Sequence, residues 1–278
     1  MPEGDTIYRA ARALHRALAG RTVTAFESVF PRLTRVDQDR PLRGRVVERV
    51  ESRGKHLLIS FSGDLVLRTH MRMHGSWHLY RPGERWQRPF SEMRIVIRTA
   101  EFEAVAFTVP VAEFGTREEA SRALSPLGPD PLGASFDPTD VMRRIRERGD
   151  MQIADVLLDQ RALAGLGNVF KSEVLFAAGV SPFARAGDLP DAAVSRLVAL
   201  AVTFLRISAE GAERRTHGSL DPSKRLAVYG RAGKPCVRCG RPIARVKQGP
   251  DARSTYWCEH CQPGRTRGPL VPTPRVAP

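Results

Sequence analysis

The sequence has only four cysteines in 278 residues. It also lacks an apolar run approaching the ~18 residues that mark a candidate membrane helix, so no membrane span is expected. No basic segment followed by an apolar one opens the chain, so no secretory signal is expected. Without export, four cysteines favour a metal site over disulfide bonds. The composition, 42% hydrophobic and 27% charged, is typical of a folded globular protein.

Acidic residues are scarce relative to basic ones, since 30 Asp and Glu face 44 Lys and Arg, for a formal net charge of +14. The imbalance is concentrated near the end of the chain, where residues 223–278 contain twelve Lys or Arg and two acids, a local charge of +10. Such a basic block typically binds a polyanion, and nucleic acid is the leading candidate. The alternative is a solvated basic tail in an arginine-rich proteome.

The chain changes its hydrophobic period twice. Apolar residues recur at helical spacing from Ile7 to Leu18, which predicts a first helix that Asp5 can cap and Gly20 can end. From residue 21 to about 111 the runs are short and β-like, including GRVVERVES, HLLISF, DLVLRTHM, MRIVIRT and AVAFTV. This pattern predicts an antiparallel sandwich or barrel with a helix attached.

The second change follows SPLGPDPLGASFDP, whose prolines and glycines indicate a linker. Four helices are predicted after it, over residues 137–147, MQIADVLLDQ, VFKSEVLFAAG and PDAAVSRLVALAVTFLRISAEG. The final PGRTRGPLVPTPRVAP is rich in proline and is predicted to be disordered.

The four cysteines form the pattern C-x2-C-x18-C-x2-C, at Cys236, Cys239, Cys258 and Cys261. Each C-x2-C pair can direct two thiolates at one tetrahedral ion, which predicts a single zinc site. Four thiolate ligands leave no open coordination position, so this zinc is expected to be structural. The spacer alternates as a β-hairpin does, with Arg253 near the return strand, and a small cationic hairpin is suited to holding a phosphate backbone.

The segment AGLGN lies between two predicted helices, and Gly165 and Gly167 permit unusual backbone angles there. Asn168 is expected at the N-cap of the second helix, where free N–H groups and the helix dipole favour phosphate. An ordinary tight connection with a capping asparagine is the alternative. The basic zinc hairpin elsewhere in the chain favours phosphate binding.

Four motifs together resemble the formamidopyrimidine-DNA glycosylase and endonuclease VIII family: MPEGDTIYRAARAL, SRGKHLLISF, LLDQRALAGLGNVFKSE and VYGRAGKPCVRCG…RSTYWCEHCQ. They occur in order from Pro2 to about Gln262. The resemblance implies a catalytic N-terminal helix and β-sandwich over 1–120 and a linker over 121–136. It further implies a helix–two-turn–helix domain over 137–222 and a zinc finger over 228–262, before a disordered tail over 263–278. The fold class is therefore α+β and multidomain.

The resemblance implies that Met1 is removed and that Pro2 becomes the nucleophile of a bifunctional DNA glycosylase and AP lyase. Chemistry supports this role, because an α-amino group titrates about 2.5 pH units below a lysine and is far more often neutral near pH 7. A secondary amine also yields a permanently charged iminium ion, an electron sink for β- and δ-elimination. Glu3 matches the family's acid–base carboxylate. The alternative is that Pro2 and Glu3 have no catalytic role and are simply residues compatible with the start of a helix.

The roles of several other residues are implied only by the resemblance to this family. Lys55, in a turn between strands, matches the lysine that contacts phosphate at the lesion and assists β-elimination. Arg253 matches the zinc-finger arginine of phosphate binding and δ-elimination, and Asn168 matches the phosphate-binding asparagine. An enzyme of this family can reach a damaged base only after the base leaves the DNA stack, so a side chain must fill the space that the base vacates in the duplex. Arg72, Met73 and His74 occupy the loop that carries the family's void-filling residues.

PEGDTI and HGSW look like the endonuclease VIII branch, which favours oxidised pyrimidines. An oxidised-purine glycosylase of the same chemistry and a non-catalytic zinc protein that binds damaged DNA are the alternatives. The expected partner is damaged double-stranded DNA, with no membrane contact. The protein is expected to be a monomer in the bacterial cytoplasm, associated with the nucleoid through DNA. Strand preference and exact lesion choice are left open by the sequence.

Overall fold

A computed structural model describes residues 2–211, 213–216 and 225–264. The chain divides into two compact units, residues 1–135 and 136–278. The boundary lies within the linker predicted over 121–136, and the predicted tail beyond residue 264 lies outside the described residues.

The first unit begins with α1 (Gly4–Leu18), whose buried face carries the predicted apolar residues Ile7, Ala11, Leu14 and Leu18. The expected cap is wrong: Glu3 takes the extended N-cap conformation, and Asp5 lies inside the first turn. Asp5 is buried there and pairs with Arg9 at 3.6 Å. A carboxylate in the first turn is favoured by the helix dipole even when it does not cap.

Two antiparallel four-stranded sheets follow, which confirms the predicted β-sandwich. One sheet has the order β2-β3-β4-β8, with β2 (Val47–Arg53), β3 (His56–Phe61), β4 (Leu65–His70) and β8 (Val111–Gly115). The other has the order β1-β6-β7-β5, with β1 (Ala25–Ser28), β5 (Ser76–Tyr80), β6 (Met93–Arg98) and β7 (Glu103–Phe107).

The main core of this unit lies between the inner faces of the two sheets and under α1. Alternate strand residues supply it, as the period of two requires, including Leu57, Ile59, Ile95 and Ile97. The outer face of the second sheet has a smaller core of its own, where Phe107 and its neighbours are covered by Trp86 from the β5–β6 connection. That connection, residues 81–92, ends in a short 3-10 turn, Phe90–Glu92.

Two helices of this unit were not predicted. Helix α2 (Pro31–Asp39) interrupts the stretch expected to be strands only, because Pro31 at the first helical position suits a helix start and Leu33 is buried beneath it. Helix α3 (Arg117–Leu124) starts at a capping box formed by Thr116 and Glu119, and it extends into the predicted linker.

The second unit is helical at first, with α4 (Pro138–Arg146), α5 (Ile153–Val156), α6 (Asn168–Ala178) and α7 (Asp191–Glu210). All but one lie within about two residues of the predicted helices. The exception is α5, which keeps only four residues of the predicted ten-residue helix, because the chain turns repeatedly from residue 157 to 167. These turns form the connection between α5 and α6 that a helix–two-turn–helix motif requires.

Helix α7 is long and apolar enough to cross a membrane by length and composition alone, contrary to the expectation that no such segment exists. That property is only weak evidence for a membrane span, since the core helix of a soluble protein passes the same test. In this unit Val194, Leu197, Ala201 and Leu205 are fully buried, and α7 packs against α6 and α4.

The unit ends in the predicted hairpin, β9 (Ala244–Gln248) paired antiparallel with β10 (Arg253–Trp257). Its four-residue connection holds two residues with positive φ, Gly249 at 71° and Ala252 at 49°. The four cysteines lie on either side of the hairpin strands, two before β9 and two after β10.

Candidate DNA repair site and zinc centre

The N-terminal pair Pro2 and Glu3 leads directly into α1. Glu3 has no exposed surface, and its carbonyl oxygen accepts hydrogen bonds from the N–H groups of Thr6 and Ile7, at 2.9 and 3.1 Å. The first turn of α1 therefore fixes the backbone of Glu3. Since Pro2 is bonded to Glu3, the nitrogen of Pro2 lies next in the chain to this fixed backbone and to the residue that carries the buried carboxyl group.

Lys55 lies in the two-residue turn between β2 and β3, as predicted. Gly54 supplies the positive φ of 58° that a hairpin this tight needs. The N–H of Gly54 donates to Oδ2 of Asp130 at 2.7 Å, and Oδ1 of Asp130 accepts from the N–H of Leu132 at 2.9 Å. Burial raises the pKa of Asp130, while these two N–H donors and Arg53 act in the opposite direction.

Asp130 is thus a positioning residue for the Lys55 turn that the sequence reasoning missed. It lies in the segment interpreted only as a linker. The signal available in the sequence was the aspartate of GPDPL, a residue type that commonly accepts a hydrogen bond from the backbone two residues later. Nothing local indicates that its second oxygen holds a turn 76 residues away.

The loop of residues 71–75 joins β4 to β5 and carries the three predicted void-filling residues. Arg72, Met73 and His74 are all exposed at its tip, and Met73 is 47% exposed. The N–H of Gly75 donates to the carbonyl of Met71 at 2.9 Å, and a Cβ on Gly75 would lie 2.6 Å from that oxygen. The loop is therefore a tight turn that needs glycine at its last position.

A pair of histidines lies at the base of the Lys55 turn and of the 71–75 loop. His56 and His70 are directly opposite on β3 and β4, with ring centroids 4.8 Å apart in an edge contact. Nδ1 of His70 accepts the N–H of Arg72 at 3.0 Å, which fixes the start of the loop. Burial, with Arg72 and Lys55 nearby, lowers the pKa of His70 to about 4, and burial with His70 lowers that of His56 to about 3. Both rings are therefore neutral at pH 7, and the positive charges here belong to lysine and arginine.

In the second unit, Asn168 is the first residue of α6 and not its N-cap, which corrects the expectation. Gly167 holds the extended cap conformation. Asn168 is 6% exposed, and its Nδ2 donates to the carbonyl oxygen of Ser254 in β10 at 2.8 Å. Its Oδ1 is buried without a hydrogen-bond partner. An amide NH2 group has two N–H donors, so one remains for a further acceptor.

Arg253 begins β10, immediately before the carbonyl group that Asn168 binds. Its side chain is 42% exposed and lies 3.4 Å from the carboxylate of Asp251. An exposed pair of this kind contributes little to stability. Asn168 and Arg253, which lie 85 positions apart in the sequence, are therefore brought together within the second unit, at the N-terminus of α6.

The hairpin is attached to the helices by polar contacts. The buried ammonium group of Lys171 in α6 donates to the hydroxyl of Thr255 at 2.8 Å. Gln248 donates to Oε1 of Gln152 at 2.6 Å and to the carbonyl of Pro182 at 3.0 Å. The ring of Trp257 packs on Phe183 at 5.0 Å. Lys171 was missed because a lysine in a helix is usually solvated.

The four cysteine sulfurs lie within 4.8 Å of one another, with Cys236 to Cys261 at 3.9 Å and Cys239 to Cys258 at 3.5 Å. Tetrahedral zinc with Zn–S bonds of about 2.3 Å places its sulfurs about 3.8 Å apart, so these residues fit the ion. Among the described residues this is the one group of three or more potential ligands that could hold a metal. Four ligands fill the coordination sphere, and the predicted zinc is structural.

Glu173 in α6 links the helical part to the zinc-binding part. Its buried carboxylate accepts the N–H groups of Ala227, Val228 and Tyr229 at 2.7, 2.9 and 2.8 Å, and also the hydroxyl of Thr216. A carboxylate with several N–H donors is a strong buried anchor. The chain entering the zinc module is thereby fixed to α6.

Replacing Glu173 with glutamine is expected to lower the free energy of unfolding by about 2–4 kcal/mol. The substitution turns charge-assisted hydrogen bonds into neutral ones and directs an NH2 group at backbone N–H donors. Urea denaturation of the full chain measures the loss. Glu210→Gln is the matched control, since Glu210 lies exposed at the end of α7 and should change stability by less than about 0.5 kcal/mol. Equal stability of the two variants would contradict the anchoring role.

Comparison with known proteins gives three family matches that cover most of the chain. Residues 1–113 match the formamidopyrimidine-DNA glycosylase N-terminal domain, and residues 127–217 match the H2TH domain of the same enzymes. Residues 233–264 match a zinc finger found in FPG and IleRS. The last match and the cysteine cluster together confirm the predicted zinc.

Individual relatives match over nearly their whole lengths. A probable endonuclease 8 2 of Streptomyces coelicolor is 43% identical over 267 residues, 95% of each chain. The DNA-(apurinic or apyrimidinic site) lyase Nei2 of Mycolicibacterium smegmatis is 38% identical over 262 residues, 94% of this chain and 99% of that one. A Lactococcus lactis Fpg structure in complex with DNA containing an abasic site has a TM-score of 0.81 at 25% identity, covering 94% of this chain and 100% of that one.

These matches confirm the fold class and the resemblance seen in the sequence motifs. They also confirm the enzyme class, a DNA glycosylase with AP lyase activity in base excision repair. With three domain models matched in order along its length, the chain belongs to the formamidopyrimidine-DNA glycosylase and endonuclease VIII family.

Proposed function

We propose that this protein excises oxidised pyrimidines from double-stranded DNA and then cleaves the strand, using Pro2 as its nucleophile after removal of Met1. The observation that carries the proposal is the position of Pro2 beside a buried carboxyl group whose backbone is fixed by the first turn of α1. The pyrimidine preference is supported by the relatives named endonuclease 8.

The first step forms a bond from the Pro2 nitrogen to C1′ of the damaged nucleotide and breaks the bond from C1′ to the base. Glu3 donates a proton to the leaving base or to the ring oxygen of the sugar, so that charge does not accumulate on either. The Pro2 nitrogen then loses its proton, and the C1′–O4′ bond breaks with its electron pair leaving on O4′, which takes up a proton as the sugar ring opens. The nitrogen shares its own electron pair with C1′ as an iminium ion, which is permanently charged because the iminium ion of a secondary amine has no N–H proton to lose.

The iminium ion acidifies the proton on C2′, and its loss expels the 3′ phosphate in β-elimination. Lys55 assists this step by bringing a cation to the departing phosphate; its place in the short turn between β2 and β3 supports this role. A second proton loss, from C4′, expels the 5′ phosphate in δ-elimination, and Arg253 stabilises the departing phosphate. Hydrolysis of the remaining iminium ion returns Pro2.

Backbone recognition in the second unit rests on Asn168 and Arg253. The free N–H of the Asn168 amide and the guanidinium group of Arg253 both suit a phosphate oxygen. The exposed tip of the 71–75 loop enters the space left by the extruded base, and Met73 is a flexible apolar side chain of the kind that does so. We further propose that the protein acts as a monomer on DNA in the bacterial cytoplasm.

Borohydride trapping tests the proposal directly, because reduction of the iminium ion leaves a stable covalent adduct. We expect adducts on duplexes that contain thymine glycol, dihydrouracil or an abasic site, with slower trapping on duplexes containing 8-oxoguanine. Single-turnover excision rates over the same panel rank the lesions. Absence of an adduct on every substrate would refute covalent catalysis, whereas faster trapping on 8-oxoguanine would assign the protein to the purine-directed alternative.

A further inference from the structure

The 71–75 loop is fixed at its start by the His70 contact to Arg72, and its far end is held by an arginine from outside the loop. Nη1 of Arg88 donates to the hydroxyl of Ser76 at 2.9 Å and reaches the carbonyl of His74 at 3.4 Å. Arg88 belongs to the 81–92 connection, and its side chain is 27% exposed. It therefore braces the loop from the side, while Arg72, Met73 and His74 remain exposed.

The other terminal nitrogen of the same guanidinium group binds the connection between β7 and β8. Nη2 of Arg88 donates to the hydroxyl of Thr108 at 3.1 Å and lies 2.5 Å from the carboxylate of Glu92. Thr108 has φ of 51°, a conformation that β-branched residues rarely adopt and that persists only when its surroundings hold it. The N–H of Thr108 is bound to the carbonyl of Glu92 at 2.7 Å, so this anchor is rigid.

A series of hydrogen bonds continues from Arg88 through Ser76 and His78 to Tyr80 in β5. Because Arg88 can only donate to Ser76, the hydroxyl hydrogen of Ser76 is available to Nε2 of His78 at 2.9 Å. Nδ1 of His78 then donates to the hydroxyl of Tyr80 at 3.3 Å. Burial and the charge of Arg88 lower the pKa of His78, which favours the neutral ring that this arrangement requires. The arginine is thus one end of a connected network and not an isolated surface group.

We propose that Arg88 is a positioning residue that keeps the 71–75 loop in the conformation able to fill the duplex at the extruded base. The inference rests on the proposed function of that loop. A side chain inserted into DNA must resist displacement by the bases that tend to restack around it. Loop rigidity therefore matters for a duplex, whereas a single strand has no opposite base and no continuous stack to hold open.

The test compares single-turnover excision of one lesion, dihydrouracil, from duplex and single-stranded DNA. For Arg88→Met we expect the duplex rate to fall by about tenfold or more, because small misplacements are costly in a preorganised site. The single-strand rate should stay within about twofold of wild type, which would also show that the variant is folded. Arg85→Met is the matched control: it removes the same charge from an exposed position of the same connection and should leave both rates unchanged.

Met73→Ala separates failure of this inference from failure of the loop assignment. If Met73→Ala leaves duplex excision unchanged, the loop does not fill the duplex, and the role of Arg88 is overturned with it. If Met73→Ala lowers duplex excision selectively but Arg88→Met lowers neither rate, or both equally, only the Arg88 inference is overturned. Arg88→Lys keeps the charge but loses the planar fork of donors, so we expect a selective loss of duplex excision that is smaller than for Arg88→Met. This variant tests the inference if Arg88→Met fails to fold.

Discussion

Pro2→Gly is expected to reduce borohydride trapping on abasic duplex DNA by at least about 100-fold, equivalent to about 2.7 kcal/mol of barrier. Glycine still presents an α-amino group once Met1 is removed, but it is a primary amine. Its adduct with the sugar is an imine that must gain a proton before it can withdraw electrons, whereas the prolyl adduct is charged permanently. The flexible glycine also loosens the geometry that α1 imposes on the nucleophile.

Glu3→Gln provides the matched comparison, because it keeps the amine and removes the proton donor. On a preformed abasic site there is no base to protonate, so trapping should be largely preserved. On dihydrouracil DNA, excision should fall by about 10²–10⁴-fold, the usual contribution of a positioned acid–base group. Full trapping by Pro2→Gly would instead assign the nucleophile to Lys55 or another amine, and peptide mapping of the trapped adduct by mass spectrometry would identify it.

The parts of this site that could be predicted from the sequence are those whose placement depends on residues close together in the chain. Pro2 and Glu3 precede a helix whose apolar spacing is plain, and Lys55 lies between two strands that alternate clearly. The C-x2-C pairs set the zinc ligands without knowledge of the rest of the fold. In each case the relevant neighbours are within a few residues, so the hydrophobic period and the turn residues suffice to place these residues in the fold. The roles expected of Pro2, Glu3 and Lys55 come from the family resemblance and not from these patterns.

The supporting contacts could not be predicted in the same way, because each joins segments far apart in the chain. Asp130 reaches Gly54 across 76 positions, and Glu173 reaches Ala227 across 54. A buried acid resembles any other acid in a sequence until its N–H donors are known. The error at Asn168 has another origin: glycine and asparagine both serve at N-caps, and the choice between adjacent positions depends on backbone angles that spacing does not fix.

The four zinc ligands form the other feature whose loss should be severe, and Cys258→Ser is the sharpest variant because Cys258 is fully buried directly after β10. Structural zinc contributes about 10–16 kcal/mol to the folding of small modules, and a two-stranded hairpin is at best marginally stable alone. Without the metal the β9–β10 pairing should be lost, and with it the positions of Arg253, the Ser254 carbonyl and the Thr255 hydroxyl.

Loss of the hairpin should also disturb α6, because Asn168 and the buried ammonium group of Lys171 would each lose a partner in β10. We therefore expect Cys258→Ser to lose its zinc and to bind duplex DNA with an abasic analogue at least about 100-fold more weakly, since phosphate contacts supply much of such affinity. Fluorescence anisotropy gives the affinity, and elemental analysis the zinc content. His260→Ser is the control, because His260 is exposed between the last two ligands and should retain zinc and affinity. Wild-type affinity in a zinc-free Cys258→Ser protein would show that the helical part binds DNA without the hairpin, and Asn168 rather than Arg253 would then be the principal phosphate contact of this unit.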